Sequence, residues 1–258
     1  MDPPVLNMTE FMTFSLILIR VSMILILAPV FGSEIVPAQV KIVLAVALSF
    51  VLMSVVKVDP SFFPESAVSL VYLILKELMI AMVLALLIRL VLEAVQFAAM
   101  YIGYQMGFAI VNVMDPQSGS QVSVLSQFAY ILALLIFLSV NGHHIIIKAL
   151  VQSFATAPPG GMIMAPLVLQ EVIAAFGQMF VVAIKIGAPT LGILFCSKVA
   201  MGIVAKTVPQ MNVLFVGMPM DIFIGLLVFG LSLSFFVPII GGAISGADSA
   251  IQTLLKLM

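Results

Sequence analysis

Charge is what this chain has least of. Its 258 residues carry 10 Lys and Arg and 11 Asp and Glu, 8% in all, where an average soluble domain has about 25%. The chain is 64% hydrophobic, and its mean hydropathy is +1.33. No soluble single domain needs that much apolar surface, so the class is an integral membrane protein or part of a membrane complex. A net charge of −1 leaves no basic footprint for nucleic acid. Cysteine occurs once, at Cys196, which excludes an internal disulfide framework. A phosphate-binding glycine loop, a nucleotide motif and a nucleophile–base pair are all missing, which argues against an enzyme and against a cofactor. The start, Met1-Asp2-Pro3-Pro4, lacks the basic residues of a secretory signal, and Glu10 precedes the first apolar run. That run reads as mature structure.

Six apolar stretches occupy 11–30, 39–56, 68–111, 122–140, 172–204 and 213–237. A helix crosses the hydrocarbon core with about 20 residues. The first, second and fourth have about that length. The third and fifth are too long for one straight crossing, so they must tilt, kink or extend beyond the bilayer. Pro189 is the expected kink in the fifth, because proline removes a backbone donor and clashes with the preceding turn. The sixth is expected to stop before Pro238, with Gly241-Gly242 soon after. Turn chemistry fills 31–37, Asp59-Pro60 with Pro64, and Pro158-Pro159-Gly160-Gly161 with Pro166. The last of these is the best internal boundary and separates a front section, 1–165, from a back section, 166–258. The expected fold class is all-α, a membrane-associated protein of kinked helical hairpins. Orientation is not legible: Lys57, Lys148 and Lys256 fall on one side and Lys41 and Lys206 on the other.

The loop Asn112-Val113-Met114-Asp115-Pro116-Gln117-Ser118-Gly119-Ser120-Gln121 lies between two long apolar runs. At membrane depth, irregular backbone is tolerated only where it lines a cavity or is buried in protein. The loop is therefore a candidate gate or plug of a conduit. Pro116 stiffens it and Gly119 lets it bend. Arg89, Glu93 and Gln96 are spaced i, i+4 and i+7 and share a helix face that continues through Met100, Gly103 and Gly107. Charges in membrane helices usually face a bundle interior or water. One reading is an internal ion pair that fixes packing; the other is a subunit contact or the wall of an aqueous path. Arg20 and Lys185 invite the same two readings, and either Glu93 or Glu77 is a possible partner for Arg20. Gly103-x-x-x-Gly107 and Gly242-x-x-x-Gly246 permit close helix approach. His143 and His144 point about 100° apart on a helix and have no Cys, Asp or Glu at ligand spacing, so a metal site is not expected. A helix-end cap with interfacial imidazoles fits them better. Met106 and Met114 bracket the approach to the loop; methionine fills irregular gaps, in a core or at a deformable seal.

Four stretches carry a resemblance. They are Arg20 with Pro29-Val30-Phe31-Gly32 and Pro37; Gly103-x-x-x-Gly107 leading to Met114–Gln121 and Leu125-Ser126-Gln127-Phe128; Asn141-Gly142-His143 with Ser153-Phe154 and Pro158; and Pro209-Gln210-Met211-Asn212-Val213 with Gly217 and Pro219. In this order they span nearly the whole chain, which resembles the FliR family of the bacterial type III export gate and its injectisome counterparts of the SctT type. The loop after Asp115 looks flagellar. Lys206 stands where relatives often carry Arg, and Asp221 stands where a basic residue is expected.

The resemblance implies a single copy within a gate built with several copies each of FliP and FliQ, next to FlhB and FlhA. It implies a FliP-like front section, 1–165, and a FliQ-like back hairpin, 166–258. Met114, Asp115, Pro116, Gln117, Ser118, Gly119, Ser120 and Gln121 would be a luminal plug. Lys206, Pro209, Gln210, Met211, Asn212, Gly217 and Pro219 would form a turn at the cytoplasmic entrance. The cargo would be unfolded rod, hook and filament protein. The site would be the inner membrane at the flagellar basal body, partly above the bilayer on the periplasmic side, with contact to lipid. Apolar runs would then be covered by partner subunits as well as by lipid. The alternatives are a stand-alone transporter or channel and a scaffold that never meets cargo.

Overall fold

The computed structural model describes residues 8–33, 36–56, 58, 66–108, 124–159, 166–208, 210 and 212–257. All regular structure among them is helical, which gives an all-α membrane protein. The helices are α1 (Met8–Leu27), α2 (Ala38–Met53), α3 (Ala67–Gln105), α4 (Val124–Ser139), α5 (Gly142–Thr156), α6 (Pro166–Thr207), α7 (Val213–Ser232) and α8 (Phe236–Leu257). A three-residue 3-10 turn, Leu233–Phe235, joins α7 to α8.

Four stretches are long and apolar enough to cross a membrane: α1, α3, α6, and α7 continued through the 3-10 turn into α8. The pair α4 and α5 adds a fifth if counted as one broken span. At roughly 1.5 Å per residue, α3 is about 58 Å long and α6 about 63 Å. The hydrocarbon core is only about 30 Å thick, so both helices outrun it. Length alone accounts for this in α6, which continues through Pro189 as one helix.

Two sequence expectations change. The run 213–237 does not end before Pro238: the helix relays through the 3-10 turn and resumes at Phe236. Pro238 is then the third residue of α8, where its missing N–H would have had no intrahelical acceptor. Behind the fourth run stands a further helix, α5, whose histidines, Lys148 and Gln152 dilute its apolar signal. Asn141 separates it from α4 with φ 58°, a left-handed conformation that Asn tolerates better than most side chains.

The chain divides into two compact units. Unit 1 comprises Met1–Leu90, Asn141–Phe176 and Ser245–Met258; unit 2 comprises Val91–Val140 and Gly177–Ile244. In unit 1, α1 packs along α2. It buries Leu16, Ile17, Val21, Ile24, Leu25 and Ala28, the i, i+3, i+4 pattern of a single face. The turn after α1 needs Gly32, because a Cβ there would lie 2.8 Å from the carbonyl oxygen of Ala28. Lys41 Nζ donates to the Gly32 carbonyl at 3.2 Å and pins the same turn. Gln252 of α8 donates to Gln152 of α5 at 2.6 Å.

In unit 2, α4 presents a stripe of Leu125, Ala129, Ala133 and Phe137, spaced by four. α6 and α7 form an antiparallel hairpin: Ser197 bonds Asp221, and nearer the turn Met201 reaches Gly217. Phe97 of α3 and Phe180 of α6 meet edge to face at 5.7 Å.

Candidate functional site

The largest fully buried side chain among the described residues is a charged one, Arg20, in the middle of α1. It and Glu77 of α3 are both 0% exposed, and Arg20 Nε donates to Glu77 Oε2 at 2.6 Å. Nη1 donates to the Ser153 carbonyl at 3.0 Å, to Ser153 Oγ at 3.2 Å and to the Ala157 carbonyl at 2.9 Å. The guanidinium carbon stands 4.3 Å from the centre of the Phe154 ring, within cation–π range. Nη2 has no hydrogen-bond partner among the described residues. One side chain of α1 thus holds α3 and the end of α5. Of the two carboxylates open as partners in the sequence, Glu77 is the one that meets it.

A second group of contacts lies in unit 2, at the C-terminal turn of α3. Lys198 Nζ donates to Gln105 Oε1 at 2.6 Å, and Gln105 Nε2 donates to Tyr101 Oη at 3.3 Å. The adjacent Ser197 Oγ donates to Asp221 Oδ1 at 2.8 Å. Met106 is buried against Gly225 of α7, where an added Cβ would stand 2.7 Å from Met106 Cγ. The Met106 side chain therefore occupies the space left by the missing Cβ. Gly107 follows with φ +93°, a value other residues rarely adopt, and turns the chain out of the helix.

The candidates named from sequence fall as follows. Met114, Asp115, Pro116, Gln117, Ser118, Gly119, Ser120 and Gln121 lie outside the described residues, as do Pro209 and Met211. Arg89 is exposed, Glu93 and Gln96 are half-buried, and Gly103 is buried. Lys185 is exposed on α6. Lys206 is exposed in the last turn of α6, and Gln210 and Asn212 are exposed beyond it. Asn212 is the N-cap residue of α7, without a side-chain cap bond. Gly217 is half-buried, and Pro219 is an exposed interior residue of α7.

The rings of His143 and His144 lie 4.3 Å apart, closer than two residues pointing 100° apart suggest. No group of three or more His, Cys, Asp or Glu among the described residues is arranged to hold a metal. Sequence reasoning missed Lys198, Gln105 and Ser197 as contact residues. Their partners are remote in the chain, and no local pattern announces them.

The model of the family described as bacterial export proteins, family 1, matches residues 11–247. The chain is 34% identical over 255 residues to the flagellar biosynthetic protein FliR of Bacillus subtilis (strain 168), covering 96% of each. It is 31% identical over 214 residues to that of Aquifex aeolicus (strain VF5), covering 83% of this chain and 82% of the other. With that of Escherichia coli (strain K12) it shares 27% over 209 residues, 81% and 79% of the two chains. The chain therefore belongs to family 1 of the bacterial export proteins, the family of the flagellar biosynthetic protein FliR, and is a membrane component of the flagellar export apparatus.

Proposed function

We propose that this chain joins several copies each of FliP and FliQ to form the channel through which unfolded rod, hook and filament subunits leave across the inner membrane. The observation that supports this is the poor internal cover of its back section. In the most apolar stretch of α3, 61% of the residues are buried, against 28% in α6 and 22% in α7 with α8. Phe195, Phe215, Phe223 and Leu231 are each 68–78% exposed. Apolar helices of about 60 Å cannot hide all of that in a core of about 30 Å. Neighbouring subunits are the remaining cover.

In this reading 1–165 is the FliP-like section and 166–258 the FliQ-like hairpin. Arg89, Glu93 and Lys185 act in assembly, as Gly103 and Gly107 do by close approach. Lys206, Gln210, Asn212, Gly217 and Pro219 belong to a turn at the cytoplasmic entrance, beside FlhB and near FlhA. Met114 to Gln121 form the plug that closes the channel at rest, and the protein performs no chemical step of its own.

The test is co-expression with FliP and FliQ, followed by the mass and subunit ratio of the purified particle. One copy of this chain with several of each partner is expected. A monodisperse particle of this chain alone, indifferent to the partners, overturns the reading. The plug has its own test: deleting Ser118 to Ser120 should raise ion conductance of the assembled gate, and unchanged conductance removes the assignment.

A further inference from the structure

We propose that Arg20 is the C-terminal cap of α5, in addition to being the counter-ion of Glu77, and that this cap fixes where α5 ends. A helix leaves its last four carbonyls without intrahelical donors, and they carry the negative end of its dipole. The usual remedy is a backbone cap, in which the N–H groups of the first two residues past the C-cap turn back onto those carbonyls. The C-cap of α5 is Ala157, at φ −122° and ψ 83°. The next two residues are Pro158 and Pro159, and neither has an N–H to give. A backbone cap of that kind is chemically impossible here.

Arg20 Nη1 supplies a donor at this helix end from outside: it bonds the orphan carbonyl of Ala157 at 2.9 Å and adds a second bond to the Ser153 carbonyl, which already accepts the Ala157 N–H at 2.9 Å. Ala157 is 1% exposed, so water does not reach its carbonyl from bulk solvent. Phe154, in the last turn of α5, faces the guanidinium with its ring, so the same turn supplies both the carbonyls and the surface the fork rests on. Pairing with Glu77 alone would need a single nitrogen, which a lysine supplies. Serving a carboxylate on one helix and two carbonyls on another calls for the planar fork of arginine. Glu77 is then a positioning residue, because it holds Nε and so aims Nη1 at α5.

Hydrogen exchange of the 150–157 segment in the purified full chain separates capping from charge pairing. Arg20→Lys keeps the charge for Glu77 and is expected to speed exchange there at least tenfold. Adding Pro158→Gly and Pro159→Ala returns two N–H donors to the same turn, for the carbonyls of Phe154 and Ala155, and should restore part of the protection. Glu77→Gln with the same two proline changes should not be rescued, because the counter-ion is what it lacks. Unchanged exchange in Arg20→Lys overturns the proposal. If Arg20→Lys does not accumulate as folded protein, recovery of folded chain by the proline changes supports the cap, and failure to recover it overturns it.

Discussion

In unit 1 a guanidinium and a carboxylate are wholly enclosed, and four hydrogen bonds tie them and the end of α5 together. In unit 2 an ammonium meets an amide at the surface, at the same 2.6 Å. Equal distances do not mean equal worth. The second contact lies on the surface of this chain, with Lys198 exposed, whereas the first is enclosed, where the alternative to pairing is an isolated charge in an apolar medium. The apolar residues do not follow the same contrast. Both units leave large apolar side chains uncovered, Phe50 and Val68 in unit 1 and Phe215 and Phe223 in unit 2. What separates the units is the enclosed ion pair; apolar surface of both is left to be covered from outside.

The largest expected effect comes from halving the enclosed pair. Glu77→Gln leaves Arg20 buried without a counter-charge, which costs about 3–5 kcal/mol when one partner of a buried pair is removed. Thermal unfolding of the purified protein should show a larger drop in midpoint than any single substitution in the unit 2 contacts produces. Replacing both by apolar residues, Arg20→Met with Glu77→Met, should be milder than Arg20→Met alone, which strips the same bonds from the end of α5 and leaves Glu77 buried without a counter-charge as well. A double variant as unstable as Arg20→Met alone would break the contrast between the units, because the enclosed charge pair would then add nothing to the bonds on α5.

An intermediate effect is expected where unit 2 is tightly packed. Gly225→Ala drives a Cβ into Met106, whose Cγ would be 2.7 Å away and whose sulfur 3.0 Å away. Overpacking of this kind costs about 1–3 kcal/mol. Shortening the intruded side chain as well, by Met106→Ala, should return part of the loss, and the recovery identifies the pair. If the double variant is simply the sum of two losses, Met106 and Gly225 are not coupled.

Much of this architecture was legible in the residues, and what was not has physical reasons. Run length marked α3 and α6 as too long for one crossing, and both are single long helices. The end of the sixth run was misread because proline breaks a helix interior but is tolerated in a first turn, and Pro238 lies in one. Helix α5 escaped notice because its outward positions carry His144 and Lys148, which lower the local hydropathy without disturbing the face that buries Ile146, Ala149 and Leu150. Arg20 was visible as a lone charge in an apolar run, but its choice of Glu77 over Glu93 depends on tertiary packing that no local pattern encodes. The consequence of Pro158-Pro159 for the cap of α5 emerges only once Arg20 is seen to reach those carbonyls.

The smallest expected effect sharpens the comparison most. Lys198→Ala removes the short contact to Gln105, yet the contact lies on the surface of the chain, and changes at such positions usually move stability by less than about 0.5 kcal/mol. The unfolding midpoint should barely shift. Ser197→Ala, one residue earlier, is the stricter case. Ser197 is 8% exposed, and its hydroxyl serves Asp221, the only charged residue of α7. Loss of a hydrogen bond to a charged acceptor costs about 1.5–3 kcal/mol, scaled down here because Asp221 is only half-buried. The two substitutions should therefore rank with the serine clearly above the lysine in a side-by-side melt. Equal shifts would mean that the Ser197–Asp221 hydrogen bond is worth no more than the surface contact of Lys198, and that the α6–α7 hairpin is held by its apolar contacts alone.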